Sequence, residues 1–140
     1  MVYALIVLDA SAALSLVLAE DEGEEVAELI NNTISINGQI FVPGLFWYEV
    51  GNGLLMAERA DRITPRSSSA AISIFAQFPI ITHQETDFPI YNRIMSLARD
   101  NGLTYYDASY LELALRFEAP LKSFDTHLRN LKTSFPLILD

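Results

Sequence analysis

The chain contains no cysteine. That excludes a disulfide framework, a thiolate metal centre and a cysteine nucleophile, leaves oxygen or imidazole to hold any metal, and is compatible with a reducing cytoplasm. Positive charge is also scarce: nine Lys plus Arg stand against eighteen Asp plus Glu, a net charge of −9. A protein that grips nucleic acid by neutralising phosphates alone carries the opposite sign. Nucleic-acid binding would therefore need Arg59, Arg62, Arg66, Arg93, Arg99, Arg116, Lys122, Arg129 and Lys132 to concentrate on one face. No glycine-rich phosphate loop, serine elbow or zinc-ligand spacing is present. No apolar run approaches the roughly 20 residues that span a bilayer. The apolar start, residues 1–19, has no basic residue before it and is interrupted by Asp9, which argues against export. The expectation is a soluble, cytoplasmic protein with no membrane partner.

Low-complexity linkers and internal repeats are absent too, so residues 1–140 are expected to form a single domain. A chain of 140 residues removes about two-thirds of its unfolded surface from water on folding, and the 51% hydrophobic content fills such a core. Elements alternate along it. Residues 3–8 form a continuous aliphatic run, the pattern of a strand covered on both faces. Helical patterns follow at 11–18 and 22–34, a short strand at 39–42, and a long helix at 45–59. Thr64 and Pro65 read as the N-cap and first residue of a helix reaching 78. A strand is expected at 79–82 and a helix at 88–100, stopped by Gly102. A helix at 105–118, a strand at 120–124, a short helix at 126–131 and a last strand at 136–139 complete the reading. Strands separated by helices imply right-handed crossovers and a mostly parallel sheet, and in such sheets ligands bind beyond the carboxyl ends of the strands.

Acids at those ends are the candidate site residues. Asp9 directly follows the first strand, where either a site carboxylate or a cap for the next helix belongs. Glu49 stands among Phe46, Trp47, Tyr48, Val50, Leu54, Leu55 and Met56, a helix apolar nearly all round, with Leu45, Glu49, Asn52 and Met56 on one stripe. A carboxylate there is expected to reach water poorly and to want a cation, or else a distant arginine. Asp107 follows Thr104 by three residues, which resembles a capping box and places the acid in a first helical turn. Asp125 ends an apolar strand and precedes a helical pattern, repeating the situation of Asp9. Each acid has an ordinary structural explanation alone; four on one sheet edge are harder to dismiss. His83 and His127 read as surface or capping residues and are left out of the site.

Four ordered segments carry a family resemblance: Leu8-Asp9-Ala10-Ser11, Trp47-Tyr48-Glu49-Val50-Gly51-Asn52-Gly53-Leu54, Tyr106-Asp107-Ala108-Ser109-Tyr110-Leu111-Glu112-Leu113-Ala114, and Leu121-Lys122-Ser123-Phe124-Asp125-Thr126-His127-Leu128. Together they resemble the PIN domain, and within it the VapC toxins of toxin–antitoxin pairs, over nearly the whole chain. The last motif often carries Thr where this chain has Ser123, and the hydroxyl is kept. The resemblance implies a three-layer α/β/α sandwich with a mostly parallel central sheet. It also implies Asp9, Glu49, Asp107 and Asp125 as the acidic metal site of a ribonuclease. Ser11, Asn52 and Ser123 are the candidates for outer-shell hydrogen bonds. Oxygen ligands suit Mg²⁺ or Mn²⁺, which orient a phosphodiester and acidify a water for in-line attack. Expected partners are an RNA substrate, an antitoxin covering the site and a second copy in a homodimer. The competing readings are an aspartate-based phosphatase or phospho-acceptor, for which Ala10 and Ser11 supply no second acid, and an inactive PIN-like binding module.

Overall fold

The computed structural model describes residues 2–84 and 87–140. Met1, the first of the nineteen residues read above for an export signal, lies outside them. Four strands, β1 (Leu5–Leu8), β2 (Gln39–Pro43), β3 (Ile80–His83) and β4 (Leu121–Lys122), form one sheet in the order β3-β2-β1-β4, every pairing parallel. The strand cores Ile6, Val7, Leu8, Ile40, Val42 and Leu121 are fully shielded from solvent, which is why these runs show no polar alternation. Among the described residues seven helices join them: α1 (Ala10–Val17), α2 (Gly23–Ser35), α3 (Leu45–Arg59), α4 (Pro65–Ala76), α5 (Phe88–Asn101), α6 (Tyr105–Arg116) and α7 (Thr126–Arg129). This is the expected three-layer α/β/α arrangement. α6 packs on β1, β2 and β4 with α5 against it, while α1 packs on α2 and α3, and α3 on α4.

The strand order places the site. The chain moves from β1 through β2 to β3 in one direction, then returns to lay β4 on the free side of β1. With right-handed crossovers the first four helices cover one face and α5 and α6 the other, so the winding reverses between β1 and β4. The crevice beyond the carboxyl ends of these two strands is the switch point where open α/β sheets bind ligands.

Local chemistry sets most boundaries. Thr64 caps α4 by accepting from Ser67 N, with Pro65 at the first helical position. Gly102 ends α5 with φ +65, the left-handed conformation that glycine adopts without strain. A Cβ on Gly23 would lie 2.6 Å from the Ser15 carbonyl oxygen, so glycine is what lets α2 start against α1. The helix read to 118 stops at Arg116, because Glu118 takes φ +51 and turns the chain toward β4.

Three further expectations need correction. The strand read over 120–124 is only Leu121–Lys122, since the next backbone amides leave the ladder: Phe124 N donates to Ser11 Oγ at 2.8 Å and Asp125 N to Ser123 Oγ at 2.9 Å. The strand read over 136–139 is a single parallel bridge of Ile138 to Leu121, flanked by hydrogen bonds of Leu121 N to Leu137 O and Leu139 N to Leu121 O. Lastly, α3 is not buried all round: Tyr48, Asn52, Leu55, Met56 and Arg59 form an exposed face, and Glu49 at its margin is half-buried. Among the described residues, no helix is long and apolar enough to cross a membrane.

Candidate metal centre

Asp9 emerges from the end of β1 and is 4% exposed. It does two things at once. As the N-cap of α1 its Oδ1 accepts from Ala12 N at 3.1 Å, and the same oxygen accepts from Ser11 Oγ at 2.6 Å. Its Oδ2 accepts from Ser123 Oγ, 114 positions away. The two serines act as a pair of cross-links. Ser11 accepts from Phe124 N while donating to Asp9, and Ser123 accepts from Asp125 N while donating to Asp9. Both loops at the β1–β4 switch point are thereby tied to one carboxylate.

Asp125 repeats the device on the neighbouring strand, capping α7 with Oδ1 on Leu128 N at 3.1 Å. The capping and site readings of Asp9 and Asp125 coincide, because a helix that starts at a strand end points its amides and its cap into the same crevice. Asp107 enters from above in the first turn of α6, its N–H donating to Thr104 Oγ1 at 3.0 Å. Glu49 comes from the second turn of α3, and its Oε1 accepts from the Tyr110 hydroxyl at 2.6 Å.

Three of the four acids, Asp9, Glu49 and Asp107, are raised above their ordinary values. Burial pushes the Asp9 carboxyl up to about 6, against the opposing pull of its hydrogen bonds, and the Glu49 charge adds to the rise. Burial also raises Glu49, opposed by the Tyr110 hydrogen bond and reinforced by the charges of Asp107 and Asp125. Asp107 is raised by burial and then by Asp125. Among the described residues, no Lys or Arg forms an ion pair with any of the four. Five of the nine basic residues are engaged elsewhere: Arg62 with Glu20, Arg93 and Arg116 with Glu112, Lys122 with Glu25, and Lys132 with Asp140. The cluster is thus negative, partly desolvated and without a Lys or Arg partner among the described residues, a state that a bound cation relieves.

Ligand atoms of Asp107, Asp125 and His127 lie within 4.8 Å of one another, the spacing of a metal cradle. Asp9 and Glu49 stand outside that trio, held by their hydrogen bonds. The donors are mostly carboxylate oxygen, which fits a hard divalent cation such as Mg²⁺ or Mn²⁺. Of the three outer-shell candidates, Ser11 and Ser123 are in contact with Asp9, whereas Asn52 is exposed on α3 and makes no hydrogen bond to the acids among the described residues.

Two residues escaped the sequence reading. His127 Nδ1 lies 3.7 Å from Asp125 Oδ1; its place two residues after a strand-end acid was the available signal. Tyr110 is buried against Glu49, and its position three residues after Asp107 puts both on one side of α6.

A family model described as PIN domain matches residues 6–133 of the chain. No curated protein matches it in sequence. Among solved structures it resembles PAE2754 from Pyrobaculum aerophilum, at 23% identity and TM-score 0.66 over 91% of this chain and 79% of that one. It is similar to a chain of a toxin–antitoxin complex from Klebsiella pneumoniae, at 17% identity and TM-score 0.66 over 96% of both chains. It is also similar to Mycobacterium tuberculosis VapC20, a toxin that cleaves the sarcin–ricin loop, at 16% identity and TM-score 0.63 over 89% of this chain and 93% of that one. The chain belongs to the PIN-domain family.

Proposed function

We propose that this PIN domain is a Mg²⁺- or Mn²⁺-dependent ribonuclease acting in the cytoplasm as the toxin of a toxin–antitoxin pair. The observation that carries the reading is the convergence of Asp9, Glu49, Asp107 and Asp125 with no Lys or Arg ion-paired to them among the described residues. Burial, reinforced by the charge of neighbouring acids, raises Asp9, Glu49 and Asp107, a cost to the fold that a cation bound among the carboxylates relieves.

The cation, when bound, supplies positive charge to the phosphodiester and makes a water more acidic. The residues of the chain do the rest. Asp107 and Asp125 hold the ion, with His127 beside them, and Asp9 and Glu49 complete the negative surround. Ser11 and Ser123 fix the orientation of Asp9, and Tyr110 that of Glu49, so that these carboxylates do not have to reorganise during reaction. A phospho-acceptor role for Asp9 is disfavoured, because Ala10 and Ser11 supply no second acid beside it and the residue is only 4% exposed.

Similarity to a chain of a toxin–antitoxin complex supports an antitoxin as partner. An arginine from such a protein entering the acid cluster would inhibit by pairing with the carboxylates in place of the cation. The exposed apolar residues Leu55 on α3 and Ile72 on α4 line one groove and offer a surface for self-association into a dimer. Incubation of the purified protein with RNA, with Mg²⁺ or with EDTA, tests the central claim. Cleavage is expected only with the metal, and an Asp9→Asn protein that folds and cleaves as well as the original would refute the assignment.

A further inference from the structure

A cavity of about 430 Å³ opens next to the acid cluster, between the start of α3, the end of β3, α5 and α6. Its walls include Tyr48 and Tyr106, each one residue before a site carboxylate, Glu49 or Asp107. Both rings are largely in solvent, at 80% and 60% exposure. Nothing in the packing of the fold asks for two aromatic faces there. Ser109, Glu112 and Arg116 line the same cavity.

Glu112 is the unusual member, a carboxylate only 3% exposed on an otherwise apolar stretch of α6. Arg116 Nε donates to its Oε2 at 3.1 Å, and Arg93 Nε lies 3.7 Å from the same oxygen. Oε1 accepts no hydrogen bond among the described residues, although a carboxylate has room for about four. A carboxylate beside a guanidinium, on the wall of a cavity that two exposed aromatic side chains also line and that adjoins a phosphodiester-cutting site, has the components of a base pocket. RNA-binding proteins read unpaired bases in this manner, stacking the ring on an aromatic side chain and hydrogen-bonding its edge.

We propose that this cavity is a base-specificity subsite that takes one unstacked guanine of single-stranded RNA next to the scissile phosphate. Tyr48 and Tyr106 supply the stacking surface. Glu112 accepts from guanine N1–H and N2–H, and Arg116, beside it, donates to O6. Adenine offers the carboxylate one donor group where guanine offers two adjacent ones, and pyrimidines offer less ring to stack. The pocket also answers the charge problem: a chain at −9 gains grip from stacking and edge recognition that it lacks from phosphate neutralisation. The inference rests on the ribonuclease reading above and names the substrate of that same site.

The test uses short oligouridine RNAs carrying a single guanosine, inosine, adenosine or cytidine, with cleavage mapped in Mg²⁺ and binding measured by fluorescence anisotropy in EDTA. Cleavage is expected at a constant offset from the guanosine, about tenfold or more faster than in plain oligouridine, with inosine intermediate because it lacks the N2 amine. Tyr48→Ala should raise KM about tenfold while Tyr48→Phe does not, and Glu112→Gln should cut the preference for guanosine over inosine. If Glu112→Gln fails to fold, the guanosine and inosine comparison on the original protein decides the same point. Cleavage with no base preference, unaffected by Tyr48→Ala, overturns the inference, leaves the groove to a protein segment and leaves the nuclease reading intact. Guanosine-dependent binding without cleavage in any metal supports the subsite and removes the nuclease reading instead.

Discussion

The Tyr110 hydroxyl donates a hydrogen bond of 2.6 Å to Glu49 Oε1, joining α6 to α3 across 61 positions of sequence. Tyr110 is itself buried, and that burial, with the carboxylate beside it, raises its phenol far above the ordinary value, so it stays a donor at any working pH. Its hydrogen bond is what holds the Glu49 carboxyl down against burial and the charges of Asp107 and Asp125.

Tyr110→Phe should therefore let the Glu49 pKa rise further. Protons then compete better with the cation, and the midpoint of Mn²⁺ binding against pH is expected to move upward, with affinity at pH 7 falling about 10- to 100-fold. Calorimetric titration with Mn²⁺ at several pH values reads this directly. An unchanged midpoint would mean that the phenol has no part in tuning the acid.

A stability prediction follows from Asp9. Its folded pKa is raised from 3.8 to about 6, so the native state favours the protonated form. The associated stability is complete below pH 4 and is lost as pH rises through about 6, amounting to about 3 kcal/mol. Glu49 and Asp107 are raised as well and act in the same direction. Asp140, which Lys132 holds below its ordinary value, acts oppositely but is fully exposed. In EDTA the melting temperature is expected to fall by about 5–10 °C between pH 4.5 and pH 7.5. Mg²⁺ should restore it at the higher pH, because the ion binds the charged carboxylates. Asp9→Asn should flatten the EDTA curve over this range.

Ser123 has no exposed surface and serves two partners, donating to Asp9 Oδ2 and accepting from Asp125 N. Ser123→Ala leaves the part-buried Asp125 amide without its acceptor and takes one of three donors from the buried Asp9 carboxylate, at a cost of about 1–3 kcal/mol in all. Thermal melting should register that loss together with weaker Mn²⁺ binding. Ser123→Thr keeps the hydroxyl and is expected to retain metal affinity, which separates the role of the hydrogen bonds from that of side-chain volume.

Leu55 on α3 and Ile72 on α4 are each nearly half exposed and line one groove. If this surface joins two copies, the Leu55→Glu, Ile72→Glu double variant should run as a monomer in light scattering at a concentration where the original is a dimer. Circular dichroism should be unchanged, since neither side chain belongs to the core. A monomeric original protein would remove the basis for the dimer.

The strands and most helix limits were legible because their causes are local. Residues 45–59 read as a helix and are one, and Thr64, Thr104 and Asp125 each cap the helix that follows. Gly102 stops α5 through its own backbone freedom. Local pattern failed where partners were remote. β4 is cut short because Phe124 and Asp125 give their amides to Ser11 and Ser123 side chains. Apolar content misled on α3, since Tyr48, Leu55 and Met56 face outward rather than into the core. The candidate site was legible as four acids at element ends, but not as a network: periodicity says nothing of a phenol on α6 reaching a carboxylate on α3.

What the sequence determined by itself was the order of strands and helices, the absence of thiolate chemistry and the presence of acids at Asp9, Glu49, Asp107 and Asp125. Each follows from residue type and near-neighbour spacing, which act over a few residues. Tertiary structure alone decided that β4 lies beside β1 and that Ser123 reaches Asp9. It also decided that His127 joins Asp107 and Asp125, and that no Lys or Arg ion-pairs with the cluster among the described residues. These are contacts across tens of residues, and they exist because burying both faces of a twisted parallel sheet forces its strand ends, with whatever charge they carry, into one crevice.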